Sequence, residues 1–394
     1  MKILFVLGFP NPFPGAGWSR IGFFAKDWSG KGHVVEALGA FSYKAFRKRG
    51  AKKLNNINIF NLTFNMGLTH PLIFILNSLI SFAVSTLLLI SRRPNAAIVS
   101  VPTGDVGIGA LMACRLTRTQ CIVDYRDEWE DYIISLNDSK TSKSFYSTIK
   151  KIVTGLYARN LVAAVTPNFL NALKRRGLTN VKLVPNGADT TTFKPSTDKR
   201  KSSNFLIFYS GGIGGYYRLD VALKAIKRLV DKGIKNVKLV IAGDGEVKKL
   251  LELADELGVS SYIEYKGVIN DKLKLSRLIA EADAGLIPYN NNPLWKNSLP
   301  AKFFEYCACG VPVIATAYDD SILAQVIKEH NLGITVTPMD EEKLAEAIHK
   351  IYRGESFREE AGKRARRLIE KNFDRKKISE EFLHLITSLL QLWR

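Results

Sequence analysis

Short apolar runs alternate with stretches of helical period along the whole chain, the pattern of βαβ units that close a parallel sheet. KILFVL (2–7), HVVEAL (33–38), AAIVSV (96–101), QCIVDY (120–125), LVAAVT (161–166) and VKLVPN (181–186) predict the strands of a first domain, with helices over 105–117 and 143–158 between them. The alternation stops at TTTFKPSTDKRKSSN (190–204), a polar, basic, proline-containing run that reads as a linker. It then restarts. FLIFYS (205–210), VKLVIAG (237–243), YIEYKG (262–267), AGLIPY (284–289), VPVIAT (311–316) and LGITV (332–336) predict a second set of strands, separated by helices near 217–232, 246–257, 271–281, 302–309 and 340–352. The fold class is therefore α/β: two Rossmann-like, doubly wound parallel-sheet domains, 1–190 and 191–374, facing a central cleft in which the carboxyl ends of both sheets hold the ligand. A last helix over 375–393 has no strand after it, so the tail 375–394 either crosses back to the first domain or packs on the second.

Composition sharpens this picture at two points. The 394 residues hold four cysteines, Cys114, Cys121, Cys307 and Cys309, too few for a disulfide framework and without the neighbours a zinc site needs, which favours a reducing, cytoplasmic setting. The apolar N-terminus lacks a small-residue cleavage site before its polar loop and reads as a buried strand. The balance of 57 Lys+Arg against 37 Asp+Glu, a formal charge of +20, calls for an anionic partner: nucleic acid, an anionic bilayer or a phosphorylated substrate. No helix-turn-helix, zinc finger or RNP pattern is present, so nucleic acid ranks last and is not expected as a partner.

Glycine-rich turns supply candidate phosphate contacts. After the first strand, Gly15 and Gly17 let backbone amides approach an anion at a helix start, the alternative being a plain Pro/Gly surface loop. The full dinucleotide fingerprint is absent and no acidic residue follows HVVEAL, which excludes a nicotinamide dehydrogenase. In the second domain, Ser210 to Gly215 places Gly211 and Gly212 at a strand-to-helix turn, and Gly243 sits in a similar turn, as phosphate contacts or as turn formers. Lys302-Phe-Phe-Glu305-Tyr opens a helix beyond AGLIPY, where an α/β sheet presents its ligand. A carboxylate there can accept both hydroxyls of a ribose and a lysine can neutralise a diphosphate. Asp319-Asp320 reads as a cap for the helix SILAQVIK rather than as a metal site.

Taken in order, VPNGADTTTFKP (184–195), VIAGDGE (240–246), YKGVI (265–269), ADAGLIPY (282–289) and FFEYCACGVPVIAT (303–316) make the chain resemble the retaining glycosyltransferases of family 4, whose architecture is called GT-B. The resemblance implies a metal-independent, hexosyltransferase-like enzyme of class EC 2.4 with no cofactor, whose substrate is a UDP- or GDP-type sugar and whose acceptor is a glycan or lipid-linked glycan. It makes Glu305 the ribose-holding second member of a glutamate pair whose first member is here Asn297, able to hydrogen-bond a sugar hydroxyl but uncharged. Leu299-Pro300-Ala301-Lys302 before Phe304-Glu305-Tyr306 is similar to the bacterial surface-polysaccharide transferases and implies that Lys302 serves the diphosphate. The family's arginine and lysine after the glycine loop are replaced by Gly212 and Tyr217, with Arg218 one residue on as a partial substitute. Its histidine after a central strand is missing, and Asp127 stands nearest that place, to orient the acceptor hydroxyl or the donor sugar or else only to face a helix dipole; Asp124 and Arg126 read as a structural pair. Asp127, Asn297 and Glu305 are thus the candidate catalytic residues. A sugar-nucleotide epimerase, or a non-catalytic scaffold subunit of a polysaccharide-assembly complex, are the alternatives.

One segment stands apart. PLIFILNSLISFAVSTLLLI (71–90) is long and apolar enough to span a membrane, yet strands before and after it belong to one sheet. Asn77, Ser81 and Ser85 recur at fourfold spacing, and Lys44, Arg47, Lys48, Arg49, Lys52, Lys53, Arg92 and Arg93 flank it. The expectation is a peripheral protein of the cytoplasmic membrane face whose first domain docks on anionic lipid, against an ordinary core helix.

Overall fold

The computed structural model describes residues 1–12, 15–66, 70–197 and 204–392. Phe13 and Pro14 of the first glycine loop, residues 198–203 of the expected linker and the Lys44 side chain lie outside the described set. The chain divides into two compact units, Met1–Pro185 with the chain from Ile378 onward, and Asn186–Lys377.

The first unit runs β1 (Lys2–Leu7), α1 (Ala16–Gly30), β2 (Val34–Phe41), β3 (Gly50–Leu54), β4 (Ile57–Phe64), α2 (Pro71–Arg92), β5 (Ala96–Val101), α3 (Gly104–Leu116), β6 (Cys121–Tyr125), α4 (Trp129–Ser135), α5 (Lys140–Tyr157), β7 (Leu161–Ala164), α6 (Pro167–Arg175) and β8 (Val181–Leu183). Its eight strands lie in the order β3-β4-β2-β1-β5-β6-β7-β8, all parallel except β3, which is antiparallel to β4. β1 and β5 are apolar and buried, as central strands covered on both faces must be. The β3–β4 pair is an addition to the expected strands. β3 is Gly-Ala-Lys-Lys-Leu, largely exposed, and its lysines blunt a sheet edge, so it has no apolar signature to read.

The second unit runs β9 (Phe205–Ile213), α7 (Leu219–Asp231), β10 (Val237–Gly245), α8 (Val247–Glu256), β11 (Ile263–Tyr265), α9 (Lys272–Ala280), β12 (Ala284–Pro288), α10 (Ala301–Ala308), β13 (Val313–Thr316), α11 (Ile322–Glu329), β14 (Gly333–Val336), α12 (Glu341–Arg353) and α13 (Glu355–Asn372). Its six parallel strands are ordered β11-β10-β9-β12-β13-β14. In each sheet the winding direction reverses once, between β1 and β5 and between β9 and β12. At such a switch point the loops at the carboxyl ends of the strands part and leave a crevice.

The last helix, α14 (Arg375–Leu392), packs from Ile378 onward within the first unit. Ile378, Phe382 and Ile386 join the core on the α1 face of the sheet with Phe5, Phe24 and Trp28. The Phe382 ring meets those of Phe24 and Trp28 edge-on at 5.8 Å, and the Trp28 indole N–H donates to the Ser379 carbonyl at 3.2 Å. Phe382 is 1% exposed, so Phe382→Ala removes a buried ring and leaves a cavity worth about 3 to 5 kcal/mol. The expected result is a lower thermal midpoint for the transition that carries the Trp28 fluorescence change; an unchanged midpoint would show that α14 contributes nothing to this core.

Candidate active site

The second unit assembles its site at the β9/β12 switch point. Lys302 and Glu305 lie on the first turns of α10, which starts where Pro300 forces an extended residue ahead of the helix. Both are 5% exposed. The Lys302 ammonium lies 3.9 Å from the ring centroid of Tyr209 and 3.5 Å from that of Tyr217, and its Nζ has no hydrogen-bond acceptor among the described residues. Burial pushes its pKa well below the usual lysine range, with Glu305 acting in the opposite sense. Further rings support the cage: Tyr217 stacks on Tyr289 at 5.2 Å, Tyr289 on Trp295 at 5.5 Å, and the Trp295 N–H donates to Asn290 Oδ1 at 2.6 Å. Glu305 pairs with Lys272 at 3.3 Å, the first residue of α9. Two lysines and a buried carboxylate thus converge from two helices.

Gly211 belongs to this cluster, because a Cβ there would stand 3.0 Å from Lys302 Nζ and its φ is +135°. The strand before it is longer than expected. β9 and β10 stay paired through Gly211–Gly243 to Ile213–Gly245, so the turn is made by Gly214 and Gly215, with φ of +92° and +63°, and not by Gly211 and Gly212. Gly243 has a packing reason to be glycine: a Cβ would fall 1.8 Å from the Gly211 carbonyl oxygen. Gly212 has open space around it. Arg218 precedes α7 and its guanidinium is held by Asp220, Nε to Oδ1 at 2.7 Å and Nη2 to Oδ2 at 2.5 Å, which leaves it partly neutralised. Asn297 ends the 3₁₀ turn Pro293–Asn297 ahead of α10 and is half-buried. Asp319 and Asp320 do not cap α11. Ser321 does, accepting from the Ala324 amide, while the aspartates pair at 2.7 Å each with Lys328 and Lys296.

The first unit builds a separate cluster at its own switch point. Gly15 is the N-cap of α1, and a Cβ on Gly17 in its first turn would lie 2.9 Å from Nη1 of Arg126. Arg126 is held by Ser100 at 2.7 Å and lies 3.6 Å from Asp124, which is also paired with Arg20 at 3.1 Å. The pair read from the sequence is therefore a buried triad. It fixes a guanidinium against a helix N-terminus, an arrangement that suits an anion. Asp127 follows, accepting from the Glu128 amide at 2.9 Å just before α4. Burial raises its pKa to about 6, against the lowering effects of that hydrogen bond and of Arg126. Lys272, the Tyr209–Tyr217 cage and the placement of Arg126 escaped the sequence reading. Each depends on a side chain from a different element, so no local pattern marks them.

Residues 189–368 match the family model of glycosyl transferases group 1. The match covers a little under half of the chain and supports the glycosyltransferase superfamily for this segment. An uncharacterized glycosyltransferase of Methanocaldococcus jannaschii is 24% identical over 225 residues, 54% of this chain and 55% of that one. A Campylobacter jejuni enzyme named as an α-1,4-N-acetyl-D-galactosaminyltransferase acting on a diNAcBac-PP-undecaprenol-linked glycan is 27% identical over 219 residues, 54% of this chain and 56% of that one. The chain thus spans about half the length of these relatives. Among solved structures, Anabaena HepE in complex with UDP and glucose superposes with a TM-score of 0.73 at 16% identity, covering 98% of this chain and 100% of that one. The fold is GT-B. Neither the epimerase nor the scaffold alternative gains support from these likenesses.

The raised pKa of Asp127 has a measurable consequence. Its folded value of about 6 lies above the unfolded one, so the charged form is disfavoured in the native state; stability falls as pH rises from about 4 to about 6 and the loss is complete above that. Asp127→Asn, which mimics the neutral acid, is expected to raise stability by about 1 to 2 kcal/mol at pH 7.5 and by nothing below pH of about 4. Urea unfolding at both pH values checks this, and an equal effect at the two would contradict it.

Proposed function

We propose that the chain is a glycosyltransferase that moves a sugar, with retention, from a nucleoside diphosphate sugar to a lipid-linked glycan acceptor, working as a peripheral protein on the cytoplasmic face of the membrane. The observation that carries the reading is the caged ammonium of Lys302 three residues before the buried carboxylate of Glu305, inside the segment that matches the group 1 domain. A buried lysine amine with no hydrogen-bond acceptor among the described residues is suited to a ligand whose negative charge favours its protonated form, and a carboxylate beside it to one that brings paired hydroxyls. A nucleoside diphosphate brings both.

In the reaction the bond from the anomeric carbon to the diphosphate oxygen breaks and its electron pair leaves with the diphosphate, while the acceptor oxygen bonds to the carbon and its proton passes to an oxygen of the departing diphosphate. Lys302 neutralises the charge that grows on the leaving group, with the amino end of α10 adding to the same field. Lys272 holds Glu305 in place for the ribose. Charge neutralisation from these residues is why the reading needs no divalent cation. Asn297, ahead of α10, is assigned to a donor-sugar hydroxyl as a neutral hydrogen-bonding group. Asp127, with its pKa near 6, is a carboxylate at neutral pH and is assigned to the acceptor hydroxyl. The acceptor assignment draws on the undecaprenol-linked substrate in the name of the Campylobacter relative.

Two substitutions test the reading. Glu305→Ala is expected to weaken nucleoside diphosphate binding about 10- to 100-fold, the worth of charge-assisted hydrogen bonds, and to reduce release of UDP or GDP from a panel of sugar nucleotides to background. Lys302→Met is expected to lower affinity for the diphosphate while leaving nucleoside affinity unchanged. Thermal stabilisation by UDP and by GDP reads the base preference. An active Glu305→Ala protein, or a Lys302→Met protein that still prefers diphosphate over nucleoside, contradicts the assignment.

A further inference from the structure

α2 is turned inside out. Its polar stripe, Asn77, Ser81 and Ser85, is buried at 0 to 1% exposure, while Leu72, Leu79, Leu87 and Ile90 are 58 to 70% exposed along the opposite side. The inward side has definite partners: Asn77 donates to Asp105 Oδ2 at 2.7 Å and Ser81 to the Val106 carbonyl at 2.8 Å, both on α3. A helix that spends its polar groups on its own protein and shows leucine outward has the amphipathicity of a surface facing hydrocarbon. At 22 residues it is about 33 Å long. It does not cross a bilayer, because α3 covers its polar side and the strands on either side of it, β4 and β5, lie in one sheet.

Charge identifies what the face meets. From residue 47 to residue 118 the sequence holds nine Lys and Arg and one acidic residue, Asp105, which is 7% exposed. The apolar stripe continues on α3 through Met112 and Leu116, 46% and 62% exposed. At their carboxyl ends the two helices frame a cavity of about 490 Å³ lined by Ile90, Leu116, Arg93 and Arg118 among others. A lining that combines leucine and isoleucine with two exposed arginines fits an acyl chain and its phosphate headgroup. A second copy of this chain would set these cations against their own equivalents across a twofold axis, which is unfavourable.

We propose that the outer face of α2, with the Arg93–Arg118 cavity at its end, lies flat on an anionic lipid bilayer. The inference deepens the peripheral-membrane part of the function above and rests on it only for the purpose of docking, since lipid binding is read without any sugar transfer.

The test is flotation of the full chain with vesicles of phosphatidylethanolamine and phosphatidylglycerol, and with purely zwitterionic vesicles, at physiological salt. The wild type is expected to float with the anionic vesicles only. Leu79→Glu with Leu87→Glu, both on the exposed side, should keep the wild-type thermal midpoint and lose flotation. Arg93→Gln with Arg118→Gln should lower the partition coefficient about thirtyfold, near 1 kcal/mol for each charge. A wild type that stays at the bottom of the gradient overturns the proposal, as does a double-glutamate variant that floats undiminished. A wild-type dimer that does not float and falls apart on the glutamate substitutions assigns the face to self-association instead. Nucleotide binding measured on the same variants separates this outcome from a failure of the transferase reading.

Discussion

The second unit is organised around the confinement of one lysine amine. Taking a lysine headgroup out of water costs several kcal/mol, and two aromatic faces return about 2 kcal/mol each at most. Lys302 therefore depends on everything that holds Tyr209 and Tyr217 at its sides. That support runs outward through the Tyr289 and Trp295 stack, the β9–β10 pairing that brings Gly211 over the amine, and the start of α10 at Pro300. The same confinement disfavours the charged form of the amine, so an anion reaching it would be needed to restore the charge, which is the basis of the diphosphate assignment proposed above. Glu305, one turn along the same helix, sets the distance at which a hydroxyl-bearing partner must follow.

The first unit solves a related problem with different parts. Its guanidinium, Arg126, is fixed by Ser100 and Asp124 and laid against the first turn of α1, where a Cβ at position 17 would fall 2.9 Å from it. Both clusters occur where the winding of a parallel sheet reverses, which is the one place where two neighbouring loops turn away from each other and leave backbone exposed. Topology chooses the position, and glycine and a confined basic side chain furnish it.

The second sheet was legible in the sequence because its strands are short, apolar and punctuated by glycine and proline, and all six were read from that pattern with ends displaced by a few residues. The ends moved where glycines extend a strand instead of breaking it, as at Gly211 to Ile213 and Gly243 to Gly245, whose pairing is a property of two chains and not of one. β3 was missed because an edge strand made of lysine carries no apolar alternation. Lys302 and Glu305 were visible as a local motif, but the aromatic cage that makes Lys302 unusual draws on β9, the loop after it and a helix about 90 residues away in sequence, a distance no local pattern encodes. The polar stripe of α2 was visible; that it points inward was not, since periodicity fixes a face without saying which way it looks.

A crystal structure of the full chain soaked with UDP or GDP examines the account most directly. The diphosphate is expected within hydrogen-bond reach of Lys302 Nζ, beside Gly211, and the ribose hydroxyls on the Glu305 carboxylate. A nucleotide bound elsewhere, with Lys302 still enclosed by its two tyrosines and Glu305 still paired only with Lys272, would contradict it.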